Sequence, residues 1–565
     1  MLSFVQIATR AAPALLAAAI LPAIATAPAY AEQKAAEQKT VCTITVNSAD
    51  EKDTFRARLP AGKYRFVELV ERGRPDWLAS ACSTGVQCDV LVISGHFAGT
   101  NFFSEQIDTQ EFLPVDEMER VACSDSCPGL FSRLKEVYLF GCNTLNADAG
   151  DPGAMPMLPA SMNSTGRDVL RDARTKANRA AERLAGDESN RERMRRIFAD
   201  VPVIYGFSSK APVGEAAAGI LNRHLKNTGG REIGSGRASP GLLASFKGAS
   251  MTSAVGLRDS DPQAAYREQV CRFFDERVAP SKKLDFIHQI LTRPETEVRR
   301  FFDRIENFTS SINPSQSSAP TFAQELDEIS RDDASRIRYF NLMRAEKPAV
   351  RARMIKVAAT FGWLTSDAQR DETMAVVRDV LAAPKLDPAG VEFVCALNAD
   401  HDLDEESGRF RLTPAQAADA GHHAAMACLG DRESHRRMTQ AMVSGSVDNA
   451  RVAQVYFGHR PLNNPLELRA VANAISRMDS SEAKVVALDT LARHYITDRE
   501  SIEELVTLFS MSESINVQRA IAGILIRSDY RALSRPDLAR TLSLRRLRSN
   551  DGEDVIDVLI RRLSS

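Results

Sequence analysis

The chain has 565 residues, with 72 Lys and Arg against 74 Asp and Glu and 44% hydrophobic side chains. Such a length exceeds one hydrophobic core and implies roughly two to four domains. The net charge of −2 supplies no basic field for nucleic acid, so no nucleic-acid partner is expected.

Residues 1–31 read as a secretory signal: Arg10 begins it, an Ala- and Leu-rich run follows, and Ala29, Tyr30 and Ala31 form a small-residue cleavage site. Pro13, Pro22 and Pro28 interrupt the run, which argues against a permanent membrane span. The mature chain is expected to begin at Glu32 and to be periplasmic or secreted. VCTITV, residues 41–46, alternates like an edge strand, and YRFVELV, residues 64–70, reads as the first core strand. A short crossover helix is expected in DWLASACSTG.

Two apolar runs then stop abruptly at Gly and a chemically active side chain. CDVLVISGHFAGTNFF, residues 88–103, carries His96; LKEVYLFGCNTLN, residues 134–146, carries Cys142. Apolar at nearly every position, they suit strands of a parallel sheet buried on both faces. In open α/β sheets, chemistry sits beyond the carboxyl ends of such strands. Neighbouring parallel strands would bring an imidazole beside a thiol, the pair needed for nucleophilic catalysis by cysteine. Gly95, Gly99 and Gly141 leave room for a substrate carbonyl. Backbone N–H groups near Gly95, Phe97 and Cys142 are the expected oxyanion donors.

A strand ending in SGH and a second ending in GCNT resemble the caspase-like peptidases, and among them the CHAT and separase branch. VPVIYGFSSKAPVGEAAAGILNRHL, residues 201–225, is similar to the strand, loop and Ala-rich helix that follow the Cys in that branch. The resemblance covers residues 60–250. It implies an α/β caspase-like domain, a catalytic His96 and Cys142, a protein or peptide substrate, no cofactor and a bacterial source. The family has Gly after the His; here Phe97 stands there, and its side chain is expected to crowd the site. The family's acidic residue near the Cys, which receives a basic P1 side chain, has no counterpart at Phe140 or Gly141. Glu68, Glu71, Arg72 and Arg74 offer either charge to a specificity pocket.

Residues 104–133 are expected to be a surface connection. Residues 148–166, rich in Gly, Pro and Met, suit a lid or specificity wall, and a polar helix should follow from Thr165 to Asp200. Its Arg191, Arg193, Arg195 and Arg196 read as a solvated face. Nine cysteines leave at least one unpaired, and Cys142 is the candidate. Cys82 with Cys88 and Cys123 with Cys127 are close enough to bridge small loops; free thiols and zinc are the alternatives, with no metal expected.

From residue 258 the pattern becomes helical. A connector over 258–334, containing the polar linker NPSQSSAP at residues 313–320, should join the α/β domain of residues 32–257 to an all-α repeat domain over 335–565. Segments aligned at Ala453, Ala487 and Ala520 recur at 33 or 34 residues, as in a HEAT-like solenoid whose units bury their faces by stacking. His422 and His423 beside Asp419 and Cys428 are read as structural rather than as a metal site. Two functions remain open: an exported cysteine endopeptidase whose helices hold a substrate or partner, or an inert caspase-like scaffold whose helices carry the function.

Overall fold

The computed structural model describes residues 38–46, 49–69, 78–99, 101–104, 112–124, 127, 129–148, 188–212, 214–462, 464–528, 537–547 and 554–564. The signal segment, the lid segment from residue 149, and Glu71, Arg72 and Arg74 lie outside the described residues.

The amino-terminal part is a mixed α/β sheet domain. Strands β1 (Lys39–Thr45), β2 (Tyr64–Glu68), β3 (Val90–Ser94), β4 (His96–Phe97), β5 (Asn101–Phe103), β6 (Phe112–Pro114), β7 (Glu136–Phe140), β8 (Val203–Phe207) and β9 (Met251–Ala254) form two sheets. The larger has the order β2-β1-β3-β7-β8-β9. Its first five members run parallel, and β9 pairs antiparallel to β8. The smaller is the antiparallel set β4-β5-β6.

The main sheet is covered on both faces, which explains its near-continuous apolar strands. Leu91, Ile93, Val137, Leu139 and Ile204 pack with the helices Val115–Cys123 and Asn190–Ile197. Val90, Val92, Tyr138, Phe140 and Tyr205 face the other way, against Phe55, Leu221 and Leu225 of the helices Asp50–Arg58 and Gly214–Thr228. The alternation follows from the two-residue period of a strand.

Three expectations are corrected here. The edge strand is β2, and β1 lies inside the sheet between β2 and β3; its polar Thr43 and Thr45 are accommodated because Glu68 accepts from both hydroxyls and from the Thr45 N–H. Residues 104–133 are more than a surface connection, because Val115, Met118 and Val121 enter the core. Arg196 is 2% exposed, since its guanidinium reaches inward to the buried carboxylate of Glu119 at 2.7 Å. A charge pattern does not by itself distinguish a solvated face from a buried pair.

Beyond Ala264 the structure is all-helical. The expected boundary at residue 335 falls within one core. Tyr266, Phe301, Phe322, Tyr339, Met343 and Trp363 belong to a single cluster. The expected linker at 313–320 is a tight corner instead: Asn313 caps the short helix Pro314–Ser317 in a reciprocal capping box. The second helical core runs from Met374 to Leu559. Here the helices Val447–His459, Ser481–Leu491, Ile515–Leu525 and Val555–Ser564 stack in one layer, and Pro465–Ser476, Arg499–Met511 and Leu538–Arg545 in a second. Ala453 and Ala487 are fully buried between neighbours; the buried residue at the next equivalent position is Ile521, one past the Ala520 of the sequence alignment. His422 is held by Asp419 Oδ2 at 2.8 Å and the Leu381 carbonyl at 3.2 Å, and Cys428 is bonded to Cys395.

Candidate active site

The register of β3 and β7 determines where the two reactive side chains emerge. Ser94 pairs with Phe140, and the Gly95 N–H donates to the Phe140 carbonyl at 3.1 Å. His96 and Cys142 therefore each stand two residues beyond the last paired residue of parallel neighbours, at the same edge of the sheet. Gly141 permits this close passage: a Cβ there would lie 2.8 Å from the Phe97 Cβ and 2.9 Å from the Gly95 carbonyl oxygen. Both His96 and Cys142 are half-buried.

After His96 the chain leaves the main sheet in a hairpin. His96 pairs with Phe103 and Phe97 with Phe102. The imidazole lies 5.5 Å from the Phe103 ring, centroid to centroid. Phe97 points the other way. Its ring lies 4.7 Å from that of Phe102 and joins the core cluster beneath. The expected crowding is thus corrected, because alternation along the strand turns Phe97 inward.

The oxyanion donors also need one correction. Gly95 is not available, since its N–H is committed to Phe140. Ala98 donates to Asn101 across the hairpin at 3.1 Å. Antiparallel pairs alternate between bonded and non-bonded, so Phe97 and Phe102 form a non-bonded pair. The Phe97 N–H accordingly does not point into the hairpin. Phe97 and Cys142 remain as candidate donors.

The Cys142 turn is pinned at four points. The Ala211 N–H donates to Cys142 Sγ at 3.3 Å. Asn143 adopts a φ of 58°, a left-handed conformation that Asn tolerates, and its N–H donates to Ser209 at 2.7 Å. The Thr144 hydroxyl donates to the Gly141 carbonyl at 3.2 Å and accepts from the Phe207 N–H at 3.1 Å. Gly206 makes room for that hydroxyl, because a Cβ at 206 would be 2.6 Å from it. Finally, Asn190 Nδ2 donates to the Asn143 carbonyl at 3.0 Å. Sequence reasoning missed Thr144 and Asn190; the only signal for the first was its place in GCNT, and for the second there was none.

Cys142 is the one free cysteine. The other eight pair as Cys42–Cys88, Cys82–Cys127, Cys123–Cys271 and Cys395–Cys428. The sequence-local pairings of Cys82 with Cys88 and of Cys123 with Cys127 are therefore corrected. Strand and helix packing sets the partners: β1 and β3 lie side by side, which puts the Cα atoms of Cys42 and Cys88 5.6 Å apart. Glu68, the charged candidate among the described residues, is engaged by Lys52 at 3.0 Å as well as by the two threonines. No group of three or more metal-ligating side chains occurs among the described residues, and no described helix is long and apolar enough to cross a membrane.

No family model, no curated protein and no solved structure matches the chain.

Proposed function

We propose that this protein is an exported cysteine endopeptidase of caspase-like type, close to the CHAT and separase branch, with His96 and Cys142 as its catalytic pair. The observation that carries the reading is the emergence of one imidazole and the sole unpaired thiol from adjacent parallel strand ends. His96 takes the proton from Cys142 Sγ, and the sulfur attacks the scissile carbonyl carbon. The Cys142 and Phe97 N–H groups receive the oxyanion. The imidazolium then protonates the departing amine, leaving an acyl-enzyme. Deprotonated again, His96 activates the water that releases the acid and restores the thiol. Export is supported by four disulfides in one chain, a pattern of oxidising compartments. The stacked helices at 34-residue spacing are read as a HEAT-like surface for a protein substrate or partner.

The test is cleavage of a mixed fluorogenic peptide library by the chain beginning at Glu32, beside Cys142→Ala and His96→Ala. Cleavage by the first and none by either variant, all three melting alike, is the expected result. No cleavage by the folded parent chain sinks the proposal.

A further inference from the structure

The strongest unused feature is a buried ionic cluster between the sheet domain and the helical region, reached from the Cys142 turn through a single helix. That helix, Asn190–Ile197, carries Asn190 at its start, where the side-chain amide donates to the Asn143 carbonyl. At the next residue the Arg191 backbone N–H donates to the Asn146 carbonyl, four residues beyond Cys142, at 3.0 Å. At the other end Arg196 donates to Glu119 at 2.7 and 2.9 Å. Glu119 is 1% exposed and accepts a third charged donor, Arg304 Nη2, at 3.1 Å. Arg304 belongs to the helix Glu295–Ser311 of the helical region. Further links span the same joint: Arg193 and Asn307 meet on Asp116, Arg267 donates to the Arg196 and Ala122 carbonyls, and the Cys123–Cys271 disulfide ties the two parts covalently.

Asn190 itself is chemically out of place. It is 5% exposed, and its Oδ1 is buried with no partner among the described residues. A buried acceptor left unpaired carries a desolvation cost that an apolar residue would avoid. Its amide N–H, spent on the turn that holds the thiol, is the compensating feature.

We infer that Asn190 is a positioning residue for Cys142, and that the helical region fixes it through the Arg304–Glu119–Arg196 cluster. The inference rests on the reading that His96 and Cys142 act as a pair. In this arrangement the helical region sets the geometry of the thiol as well as offering a surface. Small displacements of a reacting group are costly, on the order of a hundredfold for 1 Å.

The test compares the full chain from Glu32 with Asn190→Ala and Arg304→Lys, the latter keeping the charge while losing the planar fork. Iodoacetamide reports on the thiol directly, since Cys142 is the free cysteine. We expect both variants to alkylate about tenfold more slowly near neutral pH, to lose kcat with KM retained, and to lose the His96-dependent limb of the rate–pH profile. Asn190→Asp, which keeps the shape but removes the donor, serves if Asn190→Ala melts below the assay temperature. Wild-type alkylation rates and profiles in folded variants overturn the inference; slowing in Asn190→Ala alone overturns the anchoring role of Arg304. Slowed alkylation in both, in a chain that cleaves no peptide, upholds the positioning and removes the peptidase reading instead.

Discussion

Around the thiol, the tightest tolerance belongs to a residue with no side chain. A Cβ on Gly141 would press against the Phe97 Cβ and the Gly95 carbonyl, so Gly141→Ala must separate the two strand ends. The expected loss is about 1–3 kcal/mol in a urea melt, the usual cost of overpacking, and cleavage should fall with it. Phe97 gives the converse prediction. Its ring fills core space against Phe102, so replacing it with the glycine of the resembling family should destabilise by about 3–5 kcal/mol, as large-to-small core changes do. A gain in activity without that loss would mean the ring lies over the site after all. His96 and Cys142 were legible in the sequence because strand, glycine and reactive side chain coincide twice in the right order. Gly95 as an oxyanion donor was misread for a simple reason: the ladder runs one residue past the point where the apolar pattern stops, and backbone bonding leaves no mark in side-chain types.

At the level of elements, the joint between Val115–Cys123, Asn190–Ile197 and Glu295–Ser311 is held by ions taken out of water. Burial by itself would push the Glu119 carboxyl up, but Arg304, Arg196 and Arg193 outweigh it and hold the group well below the usual carboxylate range. Removing one partner of such a cluster leaves uncompensated buried charge. Glu119→Gln should therefore cost about 3–5 kcal/mol by chemical denaturation, whereas an exposed ion pair would cost under about 1. The sequence offered these residues only as charges on helices. Their partners lie 77 and 185 positions away, a separation that local periodicity cannot report. The same limit explains the disulfides. The cysteines could be counted and one assigned as free, but pairing at 45, 46 and 148 residues of separation is decided by which elements pack together.

For the whole molecule, the switch from strands to helices near residue 258 was visible because periods of two and of 3.6 differ over long stretches. The division within the helical part was not, because helices on both sides of residue 335 contribute similar apolar stripes to one core. Acid should loosen this part of the chain. In Asp332, burial raises the pKa, but bonds from Ser335 and then His288 bring it to about 2; in Asp498, Arg469 first and then Ser501 bring it to about 2 despite burial. Both lie below the unfolded reference near 3.9. Their contribution is thus complete above about pH 4 and is lost as pH falls through about 2, because the unfolded chain binds protons first. Melts followed by far-ultraviolet circular dichroism should show stability declining across that window, with Asp498→Asn lacking part of the slope.

The lone thiol also has a history. A chain released with nine cysteines can be joined into four bridges in on the order of a thousand ways, and each partnership here waits for residues at least 33 positions apart to meet. Until the turn at Asn143 closes, Cys142 is one more competitor for every bridge, able to attack a correct disulfide and leave a mixed one. Biogenesis and catalysis therefore make opposite demands on one sulfur atom. The chain from Glu32 with Cys142→Ser should recover from full reduction faster and in higher yield than its parent, and added disulfide isomerase should narrow the difference.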